Sequence, residues 1–483
     1  MIVVIGSLAV LFAIALIKQI PFIGGNIAVA LVGGGLTAAL LSGMAPVDYV
    51  TATFEGIDKL AWVIALSVFG SIYAETQVRI GAMNTAMSFF QTIFGNSPRG
   101  LIAATFVTLT LAGSLFGDAI AAATVIGFLV IRSLAAMNLK PVQIAMIILL
   151  GASIGSLMPP ISQAVYLSAS LIETDPMPVT LITYATVTIG LVFAIFESFR
   201  FVPRHASITA WMTNGFGSGA GRRGDLEQAS TSGLPGPHAD AHRGRWGRLA
   251  ELIKKRWTTM LPLGVLAFIV ILKTGFSYDI FLEIPGIRDV TQALLAIPIL
   301  QGIAFPVVLA IIVATLIAYL FPQVRRAPID TMFTGLKNVR QTIVIQLCAG
   351  FLVGCFYESG AIDTVGAFVA DVAGAGIAII ATLALAALGM MLGSQTAAQT
   401  IVVPFTAPLL ENAGGESINI AVGMSHIAAG AQNLPPVGLT VFVVCGLVGT
   451  TLKTKVDPVK TMILALPNSL YFILLGFGFL LFG

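Results

Sequence analysis

Two proline pairs, Pro159-Pro160 and Pro435-Pro436, stand 276 residues apart in a chain of 483, and much of what surrounds them recurs at the same spacing. In that register Gly113 meets Gly389, Gly117 meets Gly393 and Thr124 meets Thr400. Ala121-Ala122 meets Ala397-Ala398, and Ile144-Ala145 meets Ile420-Ala421. The match runs without a gap over about 60 positions, as expected of a duplicated structural unit. Alanine and leucine coincide often in any apolar sequence, but two glycine pairs and a Pro-Pro pair in one register do not. Whatever this chain folds into uses one half-structure twice.

Both halves are built for a bilayer. Hydrophobic residues make up 57% of the chain and charged residues only 10%, with a mean hydropathy of +0.96. A soluble domain carries about 25% charged residues. Apolar runs long enough to cross a hydrocarbon core recur from end to end. The first, residues 2–17, has no basic n-region and no A-x-A-like cleavage site, so it reads as a span and not as a signal peptide. A net charge of +3 gives no reason to expect nucleic acid as a partner. Cys348, Cys355 and Cys445 sit in apolar runs without metal-ligand spacing, and packing is their expected role.

One segment interrupts the apolar pattern. Arg200 to Arg256 holds ten of the 25 Lys and Arg residues against four acids, and includes a Gly/Ser/Pro-rich stretch. It reads as a flexible basic linker, residues 201–256, between a first membrane repeat (1–200) and a second (257–483). Basic segments stay cytoplasmic, so the linker fixes the orientation of everything else. Lys18, Arg79, Arg99, Arg132 and Lys140 then fall inside, and Glu173 and Asp175 outside. Residues 99–133 have both ends inside, which makes them a re-entrant helical hairpin, tolerated only where protein surrounds it. The second half repeats this upside down, with Arg325, Arg326, Lys337, Arg340, Lys453, Lys455 and Lys460 inside and a hairpin over 376–411 entering from outside. The expected architecture is an all-α polytopic membrane protein of two inverted repeats. It has about ten transmembrane helices plus two re-entrant hairpins, and both termini lie outside. Lys273 and Arg288, in one outside loop with Asp279, Glu283 and Asp289, are the exceptions to the charge rule.

Inverted repeats are the building plan of many secondary transporters, whose sites lie at the midplane where helices are broken. Four breaks are expected, two per repeat. The hairpin tips are Gly117, Asp118 and Ala119 in the first repeat and Gly393, Ser394, Gln395 and Thr396 in the second. Glycine allows the sharp turn, and small polar residues supply oxygens. The Pro-Pro pairs interrupt two spans, at Gly155, Ser156, Leu157, Pro159 and Pro160 and at Gln432, Asn433, Pro435, Pro436 and Gly438. Proline removes a donor and disfavours helical geometry in the residue before it. Freed carbonyls of Ser156, Leu157, Gln432 and Asn433 would suit a hard cation such as sodium. Helix N-termini restarting at the prolines would suit an anionic solute.

Few ionisable residues lie at membrane depth. Asp118 stands out, because a carboxylate there is costly and usually functional; it reads as a sodium or proton ligand, or else as a cap on the second arm of its hairpin. His426 precedes the second break by about two turns and is either a gate or a structural histidine. Glu75 and Glu358 read as interfacial. No Arg or Lys falls in the expected midplane, so a carboxylate solute must be held by helix ends, amides and hydroxyls.

At these residues the sequence resembles the large membrane subunit of tripartite ATP-independent periplasmic (TRAP) transporters, the DctM-like branch of the ion transporter superfamily. Gly113 to Gly127 (GSLFGDAIAAATVIG), Gly151 to Ser170 (GASIGSLMPPISQAVYLSAS) and Asn433 to Gly446 (NLPPVGLTVFVVCG) carry the resemblance. The last is similar to the family's T-P-P-V-G-L-N-L-F-V segment. The resemblance implies an elevator-type carrier that takes up organic acids with an extracytoplasmic binding protein and a small membrane subunit. It implies sodium near the tips and broken helices, here Gly117, Asp118, Ser156, Ser394, Gln432 and Asn433. The family usually has Gly-Ser-Ser at the first tip, so Asp118 and Ala119 depart from it, and the long basic linker is unusual.

The function expected is therefore a permease subunit of the inner membrane, importing an organic anion with sodium and no other cofactor. No G-x-x-x-x-G-K-[ST] loop is present. The alternative is a stand-alone carrier of the same superfamily, a carboxylate symporter or sodium/proton antiporter, which Asp118 favours. An enzyme is not expected. Phe116-Gly117-Asp118 is close to the G-x-G-D motif of intramembrane aspartyl proteases, but Leu115 replaces its first glycine. The Tyr-Asp partners, Tyr278-Asp279 and the reversed Asp48-Tyr49, fall in expected loops.

Overall fold

The computed structural model describes residues 2–17, 19–21, 24–95, 97–202, 245–276, 278–360 and 374–483. Among them there are helices and turns and no strand. The first half runs α1 (Ile2–Leu16), α2 (Ile27–Ser42), α3 (Pro46–Lys59), α4 (Ala61–Ile80) and α5 (Ala82–Phe94). Then come α6 (Pro98–Phe116) and α7 (Ala119–Ala136), α8 (Pro141–Leu157) and α9 (Gln163–Leu171), and α10 (Pro176–Ser198). After α11 (Arg245–Arg256), the second half has α12 (Leu261–Phe276), α13 (Ile287–Leu295), α14 (Pro306–Tyr319) and α15 (Pro328–Glu358). It ends with α16 (Gly374–Leu392), α17 (Gln395–Asn412), α18 (Ser417–Ala431), α19 (Leu439–Leu452) and α20 (Pro458–Phe482). The chain is a multi-pass membrane protein: seven described helices are apolar and long enough to cross a bilayer, both arms of the first hairpin among them.

The hairpins and interrupted spans fall where the glycines and prolines put them. α6 and α7 pack side by side and meet at Gly117-Asp118; α16 and α17 do the same at Gly393-Ser394. α8–α9 and α18–α19 are single spans broken around Pro159-Pro160 and Pro435-Pro436, both cis. Three expectations change. The helices restart not at the prolines but at Gln163 and Leu439, after the N-caps Ser162 and Gly438. The residues expected as flexible linker end in a helix, α11, that packs against α5; the rest of that segment, 203–244, lies outside the described residues. Asp48-Tyr49, expected in a loop, lies in α3.

The helices sort into two bodies. A frame is made by α1–α4, α12, α14 and α15, with α15 packed on α2, α3 and α4. Gly350 and Gly354, a G-x-x-x-G pair on α15, let its backbone approach Gly56 and Ala52 of α3 closely. A core is made by α6–α10 and α16–α20, the hairpins and broken spans together. Direct contacts between the bodies are sparse and run chiefly from α4 to α6 and α9 and from α15 to α17, while α5, which belongs to neither, packs on α6 and touches α4. Trp62 of α4, Phe305 and Tyr166 of α9 stack together at this boundary.

Ion pairs and ring contacts gather at both ends of α4. Lys59 pairs with Glu173 and lies over the Tyr357 ring at one face. At the opposite face Arg79 pairs with Asp330, and Arg99 lies over Phe199.

Candidate functional site

Each tip is the same piece of backbone used twice. Gly117 (φ +65) donates its N–H to the Gly113 carbonyl at 2.8 Å, and Gly393 (φ +62) donates to the Gly389 carbonyl at 2.8 Å. That left-handed conformation favours glycine. The next residue is extended in both, Asp118 at φ −137 and ψ 126, Ser394 at φ −143 and ψ 120, and each caps the helix that follows. Asp118 spends both carboxylate oxygens on this: Oδ1 accepts from the Ile120 N–H and Oδ2 from the Ala121 N–H, at 3.1 and 3.2 Å. Ser394 Oγ accepts from the Ala397 N–H at 3.4 Å. Ala119, Gln395 and Thr396 belong to the first turns behind the tips.

Each tip rests on the break of its own repeat. A Cβ at Gly117 would lie 2.7 Å from the Ile161 carbonyl oxygen, and one at Gly393 would lie 3.0 Å from the Val437 carbonyl oxygen, the equivalent atom. Ser114 Oγ donates to the Pro159 carbonyl at 2.5 Å, and the Ile161 N–H donates to the Ser114 carbonyl at 3.1 Å. Gly438 lies against the tip at Gly393. Leu157 and Gly155 are buried packing residues, with Gly155 against α6.

A chain of buried amides and hydroxyls then ties the two repeats together. Gln432 Nε2 donates to Gln395 Oε1, and Gln395 Nε2 donates to Ser156 Oγ, both at 3.2 Å. Ser156 Oγ donates to the Ser153 carbonyl at 2.9 Å, and Ser153 Oγ donates to Asn433 Oδ1 at 3.1 Å. Five of the six residues around this path and its flank (Ser153, Ser156, Ser162, Gln395, Gln432, Asn433) come from the two breaks or run up to them, and Gln395 comes from a tip. The Ser156 carbonyl is not free, as the sequence suggested, but accepts from Ser162 Oγ at 3.0 Å. Asp118 and Ser394 stand apart from the path, each engaged with its own helix. The buried path itself is made of amides, hydroxyls and carbonyls and contains no Asp, Glu, Lys or Arg.

Ser153, Ser162, Ser168 and Gln399 were not singled out from the sequence. Ser162 carries a signal that could have found it, since serine just ahead of a restarting helix is a preferred N-cap; the others are polar residues inside helices whose partners lie far along the chain. His426 is fully buried away from the path, with Nε2 2.7 Å from Thr186 Oγ1 and Nδ1 2.7 Å from the Val422 carbonyl oxygen. Glu75 pairs with Arg79 on α4, and Glu358 is exposed at the end of α15.

Comparisons with known proteins agree with this architecture. The family model described as "Tripartite ATP-independent periplasmic transporter, DctM component" matches residues 5–481. The fold is similar to the crystal structure of the Alcanivorax borkumensis YdaH transporter, with a TM-score of 0.57 and 16% identity over 89% of this chain and 86% of that one. It is also similar to MtrF of Neisseria gonorrhoeae, from a class of antimetabolite efflux pumps, with a TM-score of 0.56 and 14% identity over 90% and 83%. No curated protein matches the chain.

Proposed function

This chain belongs to the DctM component family of tripartite ATP-independent periplasmic transporters, and on that premise we propose that it imports an organic anion, a carboxylate, on the sodium gradient. It is a secondary transporter permease and not an enzyme. In this reading an extracytoplasmic binding protein delivers the solute and a small membrane subunit completes the complex. The protein sits in the inner membrane with the 201–256 segment cytoplasmic and both termini outside.

The observation that carries the reading is the buried path from Gln432 through Gln395 and Ser156 to Asn433, which brings both breaks and the second tip to one place. Neutral donors there suit a carboxylate that must be released as well as bound. Sodium is proposed near Gly117, Asp118, Ser156, Ser394, Gln432 and Asn433, whose carboxylate, hydroxyl and carbonyl oxygens are ligands for a hard cation. The sparse boundary between frame and core supports an elevator movement in which the core carries solute past the frame. The direction proposed is uptake; the likeness to an efflux pump at 14% identity concerns the fold alone.

The test is uptake of labelled organic acids into proteoliposomes, with and without a sodium gradient and with and without the binding protein encoded beside the permease. Sodium-driven uptake that needs the binding protein is the expected result. A second reading, a stand-alone carboxylate symporter or sodium/proton antiporter, is favoured by the carboxylate of Asp118 at the first tip. Uptake or proton exchange by the chain alone would establish it instead.

A further inference from the structure

Gln395 and Gln399 lie one turn apart on α17, so they share a face. Each reaches a serine on the first interrupted span, one on either side of the break: Gln395 bonds to Ser156 at the end of α8, and Gln399 Oε1 accepts from Ser168 Oγ of α9 at 2.8 Å. The two rungs differ in one respect. Gln395 uses both ends of its amide, donating to Ser156 and accepting from Gln432. Gln399 uses only its carbonyl; its Nε2 is buried and has no partner, and the residue is fully buried. A buried amide donor without an acceptor costs free energy that an apolar side chain would avoid.

The repeat supplies an internal control. The positions 276 residues before Gln395 and Gln399 are Ala119 and Ala123, both buried, and the position after Ser168 in the same register is Val444. The first hairpin therefore packs against the second broken span with no amide–hydroxyl rungs at all. The hairpin architecture does not require these residues, so the glutamines of α17 answer to something other than the fold.

We infer that the Gln399 side-chain amide is a solute-binding donor and a determinant of specificity. The anion is then held on one side of the pseudo-symmetric core, between α17 and the first broken span. The inference rests on the carrier reading above. A carboxylate oxygen is an acceptor only, and it satisfies the one amide donor on this face that the protein leaves open. Ser168 sets the orientation, because its hydroxyl engages Oε1 and leaves Nε2 turned away from it. A solute with an ammonium group in place of the carboxylate would bring a second donor to this position and be rejected.

The test uses whichever of labelled succinate, pyruvate and glutamate the wild-type complex takes up fastest in proteoliposomes under a sodium gradient. Three variants are compared: Gln399→Glu, which keeps the acceptor for Ser168 but removes the donor, Gln399→Leu, and Ser168→Ala. The two Gln399 variants are expected to raise the half-saturating anion concentration about tenfold or more, the equivalent of one lost hydrogen bond to a charged group. The half-saturating sodium concentration stays unchanged. Ser168→Ala, which leaves the donor in place, shifts anion affinity far less. A merely structural role would lower maximal uptake, and the yield of folded protein by gel filtration, without moving half-saturation; that result overturns the inference. A wild-type complex silent with all three anions overturns the carboxylate-carrier reading itself, and the inference with it, and is distinguishable because it appears before any variant is made.

Discussion

Gly113 of the first hairpin lies so close to Gly155 of the first broken span that a Cβ on Gly113 would sit 2.7 Å from the Gly155 backbone. The approach is mutual, since a Cβ on Gly155 would meet the Thr110 carbonyl oxygen at 2.7 Å and the Gly113 Cα at 2.9 Å. These are backbone atoms, which do not swing aside as a side-chain end does. Gly155→Ala is therefore expected to destabilise the core by about 1–3 kcal/mol, the usual range for overpacking. Gly446→Ala, on α19 where an added Cβ meets nothing within 4 Å, is expected to be neutral or slightly stabilising. Thermal unfolding of the detergent-purified variants compares the two. Equal melting temperatures would show that α6 and α8 do not depend on this approach.

A variant series separates the cap formed by Asp118 from the proposed part of its carboxylate in coupling. As the N-cap of α7 Asp118 holds two backbone N–H groups, and replacing such a cap by alanine costs about 1 kcal/mol. Its counterpart Ser394 performs the same cap with a hydroxyl. Asp118→Ser should therefore keep the fold, whereas Asp118→Ala should lower the melting temperature. If the carboxylate also takes part in coupling, Asp118→Ser should raise the half-saturating sodium concentration several-fold while its melting curve stays near wild type. A serine variant with unaltered sodium dependence would reduce Asp118 to a cap.

Lys59 at the end of frame helix α3 pairs with Glu173 of the core, and Ser170 Oγ donates to the Lys59 carbonyl beside it. Glu173 has φ +56, a conformation that glycine takes at less cost, so its carboxylate is held there against the backbone's preference. As an exposed ion pair it is worth only about 0–1 kcal/mol to stability. The proposed elevator movement would have to open it, because it joins core to frame. Cysteines at both positions, joined by a short bifunctional reagent, are expected to abolish uptake with recovery once a cleavable linker is cut. Full uptake in the cross-linked protein would rule out a core that moves relative to α3.

The sequence carried the tips and breaks almost to the residue, because glycine and proline act on their own backbone. Gly117, Gly393, Pro159-Pro160 and Pro435-Pro436 each stand at an interruption, whereas the single prolines Pro404, Pro408 and Pro467 lie inside continuous helices. The 276-residue register then predicted that the two halves would match, and the tip torsions agree to within a few degrees. What could not be read were contacts between residues far apart in the chain. Ser168 and Gln399 are 231 positions apart, each one of several polar residues in its helix, and no local pattern pairs them. The restart of the broken spans after the prolines depends on the caps Ser162 and Gly438, whose preference was there to be read. The division into frame and core follows from packing alone. α4 belongs to the frame and α6 to the core although both are apolar helices of similar length.

His426 shows how a buried ionisable residue fits this fold without an evident part in the polar path. The Val422 carbonyl can only accept, so Nδ1 donates to it, and Nε2 is bonded to Thr186 of α10. The ring also packs against Phe472 and Phe479 of α20. It thereby fastens three core helices, α10, α18 and α20, at one point. Thr186→Val keeps the shape and removes the hydroxyl, leaving Nε2 buried without a partner, a loss of about 1–3 kcal/mol. The expected outcome is a lower melting temperature with unchanged half-saturation for both solute and sodium. If Thr186→Val instead altered the sodium or pH dependence of uptake while leaving the melting curve alone, His426 would belong to the coupling machinery rather than to the packing of the core.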